Sequence, residues 1–171
     1  MALKYNKEEG KWGKEAERYV LQLLREQGLD ASMPELSFAN SADYARYEHD
    51  LVVADKEDPN KTIIAEVKRR RKRFNTHLNY PHPTVIVDAC STYDSKVRKP
   101  FMYFIVDENL TSVFAVPGQS RKHWSRVQLF NDQKKEKEVY YTCPVEQCLS
   151  FDNAFFLVKA FLSSKKPDVS T

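Results

Sequence analysis

The stretch TIIAEVKRRRKR (62–73) decides how the chain is read, because an apolar strand-like run ends in an acid and a lysine two residues apart and then continues into cations. A strand turns residues i and i+2 to one face, so Ile63, Ala65 and Val67 point one way while Glu66 and Lys68 share the other. Residues 68–73 are six consecutive cations. Upstream, HDLVVAD (49–55) reads as a second strand, and the DKEDPNK between the two supplies the Asp, Pro and Asn of a turn. A β-hairpin is expected. One register of that hairpin brings Asp50 near Glu66.

Two converging carboxylates repel, and one raises its pKa unless a cation lies between them. Carboxylate oxygens with retained waters suit Mg²⁺ or Mn²⁺ better than zinc. A cation held there polarises a phosphoryl oxygen, and Lys68 is placed to hold an attacking water and offset charge on the phosphate. The cations Arg69, Arg70, Arg71, Lys72 and Arg73 are expected to contact a nucleic-acid backbone without reading its sequence.

The clearest helix is KWGKEAERYVLQLLREQG (11–28), with Trp12, Ala16, Tyr19, Val20, Leu23 and Leu24 at helical spacing and Gly28 as its stop. Glu17 falls at the edge of the apolar stripe and can look across it toward a sheet. Glu15 is the substitute on the other edge, and Asp43 and Asp55 are reserves for Asp50. Further on, 100–108 and 111–118 read as a second hairpin around Asn109-Leu110. QSRKHWSRVQLF (119–130) is expected to form a short basic helix, NDQKKEKE a charged turn, and 152–162 a helix capped by Asp152. Residues 30–48 are read as loop with a short strand near Leu36, and 163–171 as a frayed tail.

The 171 residues, 42% hydrophobic with 4 Gly and 8 Pro, fit one compact α/β or α+β domain. Its core is expected over about 11–117, followed by a C-terminal extension over about 119–162. The apolar runs are too short for a membrane span and the N-terminus lacks the apolar stretch of a signal peptide, so a soluble, cytoplasmic protein is expected. Cys90, Cys143 and Cys148 do not make a disulfide framework. His77, His82, Cys143 and Cys148 lack the tight spacing of a zinc site, Cys90 has no local hydrolase signature, and no Gly-rich phosphate loop is present. Tyr80, Tyr93 and Trp124 are candidates for stacking on bases, although aromatic side chains more often fill cores.

Asp50, then Glu66-Val67-Lys68 after a short hairpin, preceded by a helix reading GKEAER (13–18), resembles the PD-(D/E)XK nuclease superfamily. The first helix is most similar to that of archaeal-type Holliday junction resolvases. His49 stands where the superfamily's eponymous Pro would precede the Asp. The resemblance implies a restriction-endonuclease-like central mixed β-sheet flanked by helices, and cleavage of DNA with Mg²⁺, for which Mn²⁺ substitutes. It implies metal ligation by Asp50, Glu66 and the carbonyl of Val67, with Glu17 ligating directly or through water and Lys68 as the catalytic lysine. It also implies a homodimer. A restriction- or nicking-type nuclease of the same fold, a non-catalytic nucleic-acid-binding module, and a protein-interaction domain are the alternatives, and the length suits a phage or mobile-element enzyme.

Overall fold

A computed structural model describes residues 7–34 and 49–164. The strand expected near Leu36, the reserve Asp43 and most of the expected C-terminal tail lie outside these residues.

The first helix, α1 (Lys7–Glu26), buries Ala16, Val20, Leu21 and Leu24 on one stripe. It ends as its sequence dictates: Gly28 takes φ 85°, its N–H donates to Arg25 O at 2.9 Å, and Leu29 N–H donates to Leu24 O at 3.1 Å. That pair of bonds is a Schellman cap, and it requires a residue that tolerates the left-handed region.

Strand β1 (Asp30–Ser32) pairs with β2 (Leu51–Ala54), which pairs antiparallel with β3 (Thr62–Arg69). The β2–β3 turn is tied by Asp55 and Asp58, whose carboxylates accept the N–H groups of Glu57 and Asn60 two residues on. Next come β4 (Thr84–Ala89) and the short helix α2 (Cys90–Ser95), which lie in the crossover from β3 to its parallel neighbour β5 (Met102–Val106). A parallel pair needs such a long connection. Every residue of β5 is buried, as expected of a strand covered on both faces. Strand β6 (Val113–Pro117) returns antiparallel to β5, and β9 (Leu149–Ser150) closes the edge, giving the order β1-β2-β3-β5-β6-β9.

The sheet is mixed, and its two faces are covered differently. Helices α1 and α3 (Phe151–Ser163) pack one face around Leu24, Leu51, Ala65, Phe104 and Val158. The other face, around Tyr103, Ile105 and Phe114, is covered by α2 and by a second sheet in which β8 (Glu136–Pro144) lies between β4 and β7 (Ser125–Asn131). An expectation of helices flanking the sheet therefore describes one face and only part of the other. No helix among the described residues is long and apolar enough to cross a membrane.

Three local expectations are corrected. Residues 119–130 are not a basic helix: a 3-10 turn over Gly118–His123 leads into strand β7 (Ser125–Asn131), which pairs with β8 (Glu136–Pro144). The apolar positions Val127 and Leu129 have period 2, and pairing with a β-rich partner overrides the run of cations before them. The charged turn is shorter than expected, because Glu136 already belongs to β8. Helix α3 is capped by Ser150, whose Oγ accepts Asn153 N–H at 3.2 Å, and Asp152 lies in its first turn. The segment after residue 118 is an integral layer, since β9 extends the main sheet and β8 anchors the second one.

Candidate active site

Asp50 immediately precedes β2. The pairing of Leu51 with Ala65, continued by one residue, sets Asp50 opposite Glu66. Its Oδ2 accepts the Val67 N–H at 2.8 Å. In a strand the N–H and C=O of one residue point to the same edge. The Val67 carbonyl therefore faces the Asp50 side as well, beyond the point where β2 begins.

Glu17 enters from α1 and is 8% exposed. Lys14 Nζ lies 2.8 Å from its Oε2. Burial, then the charge of Asp50, pushes Glu17 up to about 7 against the opposing pull of Lys14. Glu66 is 4% exposed, and burial followed by Asp50 holds it well above the usual carboxylate range. The charge of Asp50 thus raises both glutamates, a repulsion that a proton or a cation between the carboxylates would relieve.

Lys68 projects from the same face of β3 as Glu66. Burial acts to lower its ammonium, but Asp88, Glu66 and Asp50 outweigh that and its pKa is raised, so it stays charged. Lys68 Nζ lies 3.5 Å from Asp88 Oδ1. Asp88 is itself fixed by the Ala89 N–H at 3.0 Å and by the Tyr103 hydroxyl, which donates to Oδ2 at 3.0 Å. Beneath Glu66, Lys96 Nζ donates to Oε1 at 2.8 Å, and both side chains are 5% exposed.

The cations that follow divide by strand alternation. Arg69 turns toward α1: Nη1 donates to Trp12 O at 3.0 Å and to Glu15 at 3.1 Å, Nε donates to Glu108 O at 3.2 Å, and the guanidinium stacks on the Trp12 ring at 4.4 Å. Arg70 turns to the opposite face and donates to Ile86 O. The expectation that Arg69 reaches phosphate is therefore corrected, since its donors hold the fold together, while Arg70 commits its Nη2 to a backbone carbonyl. Arg71, Lys72 and Arg73 are exposed, with the Arg71 guanidinium over the Trp12 ring at 4.8 Å.

Other candidates take structural roles. Glu15 pairs with Arg69, and Asp55 ties the β2–β3 turn. Tyr93 and Trp124 are buried edge to face at 5.3 Å, and Tyr80 packs on Phe74 and Phe114, so none of the three is laid open for base stacking. Cys90, Cys143 and Cys148 are buried free thiols. Among the described residues no group of three or more His, Cys, Asp or Glu side chains stands ready-made as a metal cage. The donor chemistry nevertheless suits a hard cation. Asp50, Glu66 and Glu17 each have one oxygen accepting from a named protein donor, and each carboxylate keeps lone pairs to offer a cation.

Lys96, Asp88, Tyr103 and Lys14 were not found from sequence. Asp88 carries a signal: like Glu66, it is an acid at the end of an apolar strand run, TVIVD (84–88). Lys96 has none, because its contact with Glu66 depends on the crossover.

A pH dependence follows. The folded-state pKa of Glu17 and Glu66 is raised, so without a cation the native state binds more protons than the unfolded chain above about pH 4.5. The contribution of these two groups to stability is then greatest near and below that pH and falls as pH rises through about 7. For Glu17 the loss is on the order of 3 kcal/mol. Thermal melts in EDTA should show a higher Tm at pH 5.5 than at pH 8, and Mg²⁺ should reduce the difference. A Tm that rises with pH in EDTA would contradict the repulsion.

Set against protein-family models, curated proteins and solved structures, the chain matches none.

Proposed function

We propose that the protein is a divalent-cation-dependent endonuclease of the PD-(D/E)XK type that hydrolyses DNA phosphodiester bonds. One observation carries the reading: at the start of β2 the charge of Asp50 raises both Glu66 and Glu17, and a charged lysine, Lys68, stands two residues along β3 from Glu66 with its own carboxylate support. Asp50, Glu66 and the Val67 carbonyl would hold Mg²⁺ or Mn²⁺, with Glu17 completing the set directly or through water. Such an ion supplies Lewis-acid polarisation of a phosphoryl oxygen.

The chain's own groups do the rest. The Lys68 ammonium orients the attacking water and offsets the charge that builds on the phosphate, and it costs little reorganisation because Asp88, itself fixed by the Tyr103 hydroxyl, already pairs with it. Arg71, Lys72 and Arg73 position the backbone without reading bases. Lys68→Ala should lower the cleavage rate by about 10²- to 10³-fold with metal affinity little changed. A large loss of Mg²⁺ affinity in that variant, measured by calorimetry, would make Lys68 structural instead.

A second reading is a nucleic-acid-binding module without catalysis. It is favoured by the internal pairing of Glu66 with Lys96 and of Glu17 with Lys14. A labelled panel of linear duplex, single strand, flap and four-way junction, incubated with Mg²⁺, Mn²⁺ or EDTA, separates the two. Metal-dependent cutting supports the nuclease, and the preferred substrate distinguishes a junction resolvase from a restriction- or nicking-type enzyme. Binding without cutting under every metal condition supports the module.

A further inference from the structure

A small cleft of about 180 Å³ opens beside Lys68, walled by β3, the end of β4, α2 and the β7–β8 hairpin. It is smaller than the roughly 300 Å³ at which small-molecule sites begin, so it has room for one group and not for a whole ligand. Three cations and two carboxylates line it: Lys68, Arg70 and Lys134 with Asp88 and Glu138. Two ion pairs use up all but one of these charges. Lys68 Nζ lies 3.5 Å from Asp88 Oδ1, and Lys134 Nζ lies 3.0 Å from Glu138 Oε1. The hairpin wall is fixed further, because Glu138 Oε2 also accepts Asn131 Nδ2 at 2.8 Å and the Tyr140 hydroxyl at 2.9 Å.

Arg70 is the odd charge. Among the described residues its guanidinium has no carboxylate at ion-pair distance, and its bond to protein is the one from Nη2 to Ile86 O. Nε is buried without an acceptor, whereas Nη1 is neither buried nor bonded to protein. Burial pushes the guanidinium below its ordinary pKa, and the charges around it, Asp88 among them, do not make up the difference, yet an arginine stays charged. A partly buried cation with an open N–H pair calls for an anion. Arg70 stands two residues beyond Lys68 on the same face, about 6.6 Å along the strand, a span that the covalent link between neighbouring phosphates can cover. We propose that the cleft is a phosphate subsite, in which Arg70 Nη1, with Lys134 at the rim, holds a backbone phosphate of the nucleic acid next to the phosphate that Lys68 faces. This rests on the nucleic-acid partner of the nuclease reading and not on its chemistry.

The test is DNA binding by wild type, Arg70→Gln and Thr92→Glu, read by fluorescence anisotropy of a labelled duplex in EDTA over a range of salt, and from the DNA-concentration dependence of cleavage in Mg²⁺. Tm is the folding control. Arg70→Gln removes the unmatched charge and should weaken binding by about tenfold at low salt and reduce the salt slope by about one. Thr92 also lines the cleft, and Thr92→Glu brings in a carboxylate without touching the Arg70 bond to Ile86. Its Tm should match or exceed that of wild type while affinity and slope fall as in Arg70→Gln. Wild-type affinity and slope in either folded variant overturn the proposal, and if Arg70→Gln does not fold, Thr92→Glu decides alone. Calorimetric titration of inorganic phosphate separates a free ion from a strand: phosphate bound by wild type and lost in Arg70→Gln, with DNA binding equal in the two, overturns the nucleic-acid assignment. Wild type that neither binds nor cuts DNA removes the nuclease reading and this inference together. Binding without cutting, weakened in both variants, removes the nuclease alone; cutting with binding unmoved in the variants removes the subsite alone.

Discussion

Replacing Asp50 or Glu66 with alanine is expected to abolish cleavage, with a loss of about 10³-fold or more, larger than removal of one fixed electrostatic donor produces. DNA binding should be preserved or strengthened, because each variant removes a negative charge facing the phosphate. Stability separates the two. Asp50→Ala relieves the repulsion that raises Glu17 and Glu66, at the cost of one hydrogen bond to Val67 N–H. Glu66→Ala instead strands the buried Lys96 ammonium, and breaking such a pair costs about 3 to 5 kcal/mol. Melting both variants in EDTA beside a cleavage time course checks both parts. Glu66→Gln, which keeps an oxygen for Lys96, should be inactive with a smaller stability loss. Native cleavage by any of these variants would mean the chemistry lies elsewhere.

Arg69→Ala is expected to be the most damaging change within the basic run, through the fold and not through nucleic acid. Its guanidinium joins α1 at Trp12 and Glu15 to the β5–β6 turn at Glu108, and its side chain is 8% exposed. Its removal leaves two carbonyls without this donor and the Trp12 ring without the guanidinium 4.4 Å from its centroid. Because Glu15 is 40% exposed and can rehydrate, the loss should fall at the low end for a buried pair, about 3 kcal/mol. For a chain of this length that is a fall in Tm of roughly 6 to 12 °C. The triple replacement of Arg71, Lys72 and Arg73 by Ala should do the reverse: Tm near wild type, weaker binding to every DNA sequence, and a salt slope reduced by up to roughly three. An unchanged slope would move the DNA path off this edge.

The hairpin of β2 and β3 was legible because its signals are local. A period-2 run, a turn rich in Asp, Pro and Asn, and a register set by one buried face together place Asp50 across from Glu66. Helix α1 and its Gly28 cap were legible for the same reason. What lay beyond reach depends on long connections. The parallel pairing of β3 with β5 brings β4 and α2 over the sheet, and only then do Asp88 and Lys96 meet Lys68 and Glu66. The second sheet was missed because Arg121, Lys122, His123 and Arg126 suggest a solvated helix face, whereas the pairing of β7 with β8 settles the conformation. The fate of Arg69 and Arg70 was hidden similarly: a block of cations reads as a surface until strand alternation sends one side chain to Trp12 and the next to Ile86.

The account stands most directly on whether the Asp50, Glu66 and Lys68 constellation cuts DNA. The decisive measurement is incubation of supercoiled plasmid with purified wild type in Mg²⁺, wild type in EDTA, and Glu66→Ala in Mg²⁺, followed by separation of supercoiled, nicked and linear forms. Nicked or linear product from wild type in Mg²⁺ alone is the predicted result. Equal product from Glu66→Ala, or none from wild type in either condition, would contradict the account.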